Sequence, residues 1–199
     1  ATTYGLQAEY WKYFAHGDRP DVLGFLKTNL TDLANHYHAC YQDPQQAEDK
    51  PANFQEAQHW YRGFLSSFPT DNESPVINYQ LADLLRENRS FGAAAVEFEK
   101  TAYGYPLHDK SSQAGYAAVF SYREQLGAAR PEDVETVKRE VVRSSLQFAD
   151  AYPEHEKAAI ALGAAADDLY GMKEYEQARA AATKLIEAFP STDGDVVRD

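Results

Sequence analysis

Four places in the chain read aromatic–proline: Phe68-Pro69, Tyr105-Pro106, Tyr152-Pro153 and Phe189-Pro190. Their prolines stand 37, 47 and 37 residues apart. Proline has no N–H to give to a helix and pushes the residue before it out of helical angles, so each phrase stops a helix. Stops at such intervals mark a repeated unit, which confines the chain to an array of similar pieces. The positions upstream repeat as well. Fifteen residues before the proline stand Phe54, Phe91 and Tyr175, and twelve before it Ala57, Ala94 and Ala178. A small residue lets two helices approach closely, and an aromatic at the start of a helix plugs the turn beside it. The third piece departs from this pattern, with Val141 at the small position.

Each stop is preceded by a second, upstream helical stretch. Val22 to Tyr41 carries Leu26, Leu30, Leu33 and Tyr37, and Val76 to Asn88 carries Leu81, Ala82, Leu84 and Leu85. Gln113 to Leu126 carries Tyr116, Val119, Phe120 and Tyr122, and His155 to Tyr170 carries Ile160, Leu162 and Leu169. Steps of three and four predict helices with one apolar stripe. Alternating β-branched runs and Asn-Gly turns are absent. The class is therefore all-α, a single domain over 1–199 built of about four helix-turn-helix units. The units run over 21–69, 74–106, 108–153 and 154–190. Gln42 to Lys50 forms a polar insertion in the first, and Gly127 to Pro131 interrupts the third. Residues 1–20, with Leu6 to Phe14 helical, are expected to cap the array or to remain from a preceding unit. The tail 191–199 resembles the start of a further unit, so the chain is expected to be a slice of a longer array.

The run Tyr79-Gln-Leu-Ala, then Phe91, Ala94, Phe98 and Tyr105-Pro106, resembles a complete tetratricopeptide (TPR) unit, and Tyr175-Glu-Gln-Ala178 through Leu185 to Phe189-Pro190 a second. The resemblance covers residues 21–190. The 37-residue spacing and aromatic–proline endings are most similar to bacterial envelope TPR proteins of the outer-membrane-assembly lipoprotein and Tol-Pal coordinator types. The resemblance implies a right-handed α-α superhelix, a TPR-like solenoid whose first helices line a concave groove. It implies a periplasmic location, with the cytoplasm as the alternative. Tyr79, Arg86 and Glu87 recur 37 residues on as Tyr116, Arg123 and Glu124. With Asp83 and Phe120 they are the residues the TPR pattern turns toward the groove. Arginine's planar fork suits carboxylates and tyrosine gives rigid contact area, so the expected guest is an extended acidic peptide or a partner's C-terminus. The competing reading makes the arginines partners of acids on their own surface.

Composition narrows the classes further. The net charge is −12, and the longest basic cluster, Lys138 to Arg143, is broken by Glu140, so no nucleic-acid partner is expected. Cys40 is the single cysteine, which leaves no intramolecular disulfide. No stretch is long and apolar enough for a membrane span. Of His36, His38 and Cys40, only His36 and Cys40 share a helix face, so no metal and no cofactor is expected. Asp167-Asp168 and Glu154-His155-Glu156 do not converge as a catalytic pair must. Glu73-Ser74 resembles the acid–serine pair of lytic transglycosylases but lacks their Gly-Leu-Met-Gln stretch. The function expected is a non-catalytic protein- or peptide-binding scaffold, with self-association through the end units possible. The alternative is a polysaccharide-binding or export-associated TPR module using Tyr79, Tyr116, Phe120 and Tyr170; an enzyme or metal protein ranks below both.

Overall fold

The computed structural model describes residues 19–190, and their regular structure is all-α. The helices are α1 (Pro20–Gln42), α2 (Lys50–Ser67), α3 (Ser74–Glu87), α4 (Phe91–Tyr103), α5 (Ser111–Gly127), α6 (Val134–Ala151), α7 (Ala158–Gly171) and α8 (Tyr175–Ala188). A 3-10 turn, Pro44–Gln46, occupies the polar insertion. No strand occurs among the described residues. The helix expected over Leu6 to Phe14 and the tail from 191 lie outside them. The chain divides into two compact units, 1–89 and 90–199. The division falls between α3 and α4, inside the pair expected over 74–106.

Three of the four aromatic–proline phrases build one and the same joint. Phe68, Tyr152 and Phe189 each cap a helix, with φ of −131°, −133° and −127° and ψ of 58°, 60° and 58°. Each still donates its N–H four residues back, to Phe64, Phe148 and Leu185, at 2.8, 2.9 and 3.0 Å. Proline forbids the helical ψ that would carry the helix onward. The fourth phrase behaves differently. α4 already ends at Tyr103, with Gly104 as its cap. A Cβ on Gly104 would lie 2.7 Å from the Lys100 carbonyl oxygen, so only glycine allows this tight close, and Tyr105-Pro106 falls beyond the helix.

The small positions behave as expected, since Ala57, Ala94, Ala178 and Val141 are all buried. In the first unit Leu26, Leu30, Ala34 and Tyr41 of α1 are buried with Phe54, Tyr61 and Phe64 of α2. The α1 stripe is thus corrected: Leu33 and Tyr37 are only half-buried. In the second unit Val119, Phe148, Ala158 and Ala161 join α5, α6 and α7 in one cluster, and Leu162, Ala165 and Leu169 pack with Ala178, Ala181 and Leu185 in another. Ile160, read into the apolar stripe of its helix, is exposed by 49%, and Phe120, counted in its helix's stripe but also expected on the groove, is exposed by 44%. α7 is so rich in alanine that Leu162, Leu169 and five alanines fill the buried side, and Ile160 falls on the opposite one.

Candidate functional site

The eight groove candidates fall on two helices, one in each unit. Tyr79, Asp83, Arg86 and Glu87 stand on α3, and Tyr116, Phe120, Arg123 and Glu124 on α5; none of the eight is buried.

On α3, Glu87 has partners on α1. Gln42 Nε2 donates to Glu87 Oε1 at 2.8 Å, and His38 Nε2 lies 3.4 Å from Glu87 Oε2. His38 Nδ1 is 2.9 Å from the Tyr61 hydroxyl, which donates to Asn35 Oδ1 at 3.2 Å. Because that hydroxyl spends its hydrogen on Asn35, His38 Nδ1 carries the hydrogen between the two. His38 thus donates to Tyr61 and does not accept its hydrogen, so Glu87, His38 and Tyr61 do not make an acid–base–hydroxyl relay, and Tyr61 is only 1% exposed. Burial, with the nearby Glu87 and Asp83 carboxylates, pushes its hydroxyl up, away from activation. The line ties α1, α2 and α3 together and offers a substrate no nucleophile. Arg86 Nη2 lies 3.6 Å from Asp83 Oδ1 on the same helix, and its enclosed Nε has no hydrogen-bond acceptor among the described residues. Burial also raises Tyr79, with Asp83 adding to the effect and Arg86 opposing it.

On the second unit, Arg123 Nη2 donates to Asp168 Oδ2 of α7 at 3.2 Å. Tyr116 stacks on His155 with ring centroids 5.9 Å apart, and Phe120 projects one turn before Arg123. Both arginines therefore stand against carboxylates of their own unit. Along α7 the exposed side is Ile160, Asp167 and Tyr170, and Tyr170, 67% exposed, meets Tyr175 edge-on at 5.3 Å.

The other chemistry weighed from the sequence takes structural roles. His36 Nε2 and Cys40 Sγ are 3.7 Å apart, and no group of three or more His, Cys, Asp or Glu able to hold a metal occurs among the described residues. Ser74 is fully buried, its hydroxyl donating to the Phe68 carbonyl, while Glu73 pairs with Lys27 at 2.8 Å. The basic cluster of α6 is occupied by acids. Arg139 reaches Glu135 and Glu174, and Arg143 reaches Glu140, Glu99 and the Tyr122 hydroxyl.

One recurring feature escaped the sequence reading. Two residues past the repeat proline stand Asp71, His108 and His155, and each side chain accepts the backbone N–H two residues on, at 2.9, 3.2 and 3.2 Å. Their carbonyls then accept from Ser74, Ser111 and Ala158, the buried residues that open α3, α5 and α7. Laying the proline phrases over one another reveals the position; it stays hidden because aspartate and histidine share only the ability to accept.

No protein-family model matches the chain, and no curated protein matches it. No helix among the described residues is long and apolar enough to cross a membrane.

Proposed function

We propose that the protein is a non-catalytic interaction scaffold, a TPR-like right-handed solenoid that holds a peptide or protein segment against the first helices of its pairs. The observation that carries this reading is that all eight candidate side chains on α3 and α5 reach solvent, while their helices bury an apolar side. The joint repeated at Phe68, Tyr152 and Phe189 supports an array of similar pairs. The buried Tyr61, whose hydroxyl hydrogen goes to Asn35 and not to His38, favours a binding role over catalysis. The resemblance of the repeat to envelope proteins favours a periplasmic assembly as the setting of this scaffold, with self-association through end units as a second mode of contact. A pull-down from bacterial envelope extract tests it, comparing the native chain with a folded Arg86→Glu/Arg123→Glu variant. A partner whose capture changes between the two is the expected result. Equal capture by both would remove the first-helix faces from the reading.

The exposed Tyr170 and Tyr175 pair favours one alternative, a polysaccharide-binding module in which sugar rings stack on tyrosine faces. Glycan-array binding lost on Tyr170→Ala would establish it.

A further inference from the structure

The charge of the guest follows from how the second unit's acids are spent. Three links join α5 to α7: Val119 shares one core cluster with Ala158 and Ala161 through Phe148 of α6, Tyr116 stacks on His155, and Arg123 meets Asp168. These contacts run along both helices in the same order, which sets Phe120 beside the middle of α7. The surface so formed presents Phe120 from α5 and Ile160 and Tyr170 from α7, three exposed apolar or aromatic side chains. Among them lie Arg123, Glu124, Asp167 and Asp168. Asp168 already takes the Arg123 guanidinium. Asp167 is exposed, shares its helix side with Ile160 and Tyr170, and has no ion pair or hydrogen bond among the described residues. One oxygen of Glu124 is enclosed and lacks a hydrogen-bond donor among the described residues. Of the further bases, Lys157 beside Ile160 lies 3.6 Å from Glu156, and Lys173 stands beyond the end of α7. Once Arg123 and Asp168 cancel, the surface keeps an acidic excess around an apolar floor, on a chain of net charge −12.

We propose that the α5–α7 face docks a cationic segment of a protein partner, Lys or Arg meeting Asp167 while apolar side chains lie on Phe120 and Ile160. This rests on the scaffold reading above and reverses the charge that the two arginines imply when read from the sequence alone. An acidic guest would have to displace Asp168 from Arg123 and approach Asp167 against like charge; a basic guest does neither.

Selection of a random dodecapeptide display library on the native protein, at about 150 mM salt so that long-range attraction is screened, tests this. Enriched peptides are expected to be rich in Lys and Arg with interspersed apolar residues. The strongest should bind an Asp167→Lys variant about ten-fold more weakly, and Phe120→Ser should weaken it as well. Glu176→Lys, on the solvent side of α8, should leave binding within about two-fold. Enrichment of acidic peptides would overturn the charge assignment and leave the scaffold standing. Basic peptides lost equally on Asp167→Lys and Glu176→Lys would mean bulk attraction and overturn the site. A library with no enriched peptide would remove this proposal and the peptide-scaffold reading together.

Discussion

Gly115 shows how much a single hydrogen atom in place of a methyl can decide. A Cβ there would lie 3.0 Å from Phe148, from the Tyr103 hydroxyl and from Tyr152 at once, and all three are ring atoms or their substituents, held by ring-to-ring contacts. Gly115→Ala is therefore expected to destabilise by about 1–3 kcal/mol despite alanine's better helix propensity, as measured by urea unfolding. Tyr103 adds a second prediction. Its hydroxyl is enclosed without a hydrogen-bond partner among the described residues, so Tyr103→Phe should be neutral or stabilise by about 1 kcal/mol at neutral pH. Burial, then Tyr152 and Glu99, push that hydroxyl above the usual tyrosine value, with Arg143 opposing. A phenol held more tightly protonated in the fold lends stability that is fully present below about pH 10 and disappears as pH climbs through the folded value. The alkaline loss of stability should accordingly be shallower in Tyr103→Phe than in the native chain. An unchanged slope would assign that loss to other groups, Tyr61 first among them.

At the scale of elements, the clearest local rule concerns how α7 ends. Lys173 adopts φ 64° and closes a paired cap, its own N–H donating to Tyr170 O and that of Glu174 to Leu169 O, each at 2.9 Å. The left-handed conformation crowds a Cβ, so Lys173→Gly is expected to raise the melting point, with a gain of about 0.5 kcal/mol. His155→Ala should cost about 1 kcal/mol by removing the acceptor that opens the turn into α7. This scale also explains what the sequence made legible. Proline and alanine act through local sterics, so the stops at Phe68, Tyr152 and Phe189 and the buried Ala57, Ala94 and Ala178 could be read directly. Ile160 could not, because the alanines of α7 satisfy the helical period on two sides and only the neighbouring helices choose between them. Nor could the pairing of Arg123 with Asp168, 45 residues away, since the register of α5 on α7 emerges only from packing.

For the molecule as a whole, the two-unit division has a testable consequence. The second unit holds complete clusters of its own: Ala95, Tyr122 and Val141; Val119, Phe148 and Ala161; Leu162, Leu169 and Leu185. Residues 90–199 produced alone are expected to keep a helical circular-dichroism spectrum and a cooperative melt; a featureless melt would tie their stability to residues 1–89. The joints have a different kind of consequence. Stop, turn and restart are all carried within Aro-Pro-x-(Asp/His)-x-x-(Ser/Ala), as at Phe68 to Ser74 and Tyr152 to Ala158, and the turn's hydrogen bonds close within the phrase and the helix turns flanking it. The phrase works like portable punctuation: the text between two marks can lengthen from 37 to 47 residues while the marks keep their form. A lineage built this way can gain, lose or stretch whole clauses by recombination at these seven residues, and an engineer can cut and rejoin there for the same reason.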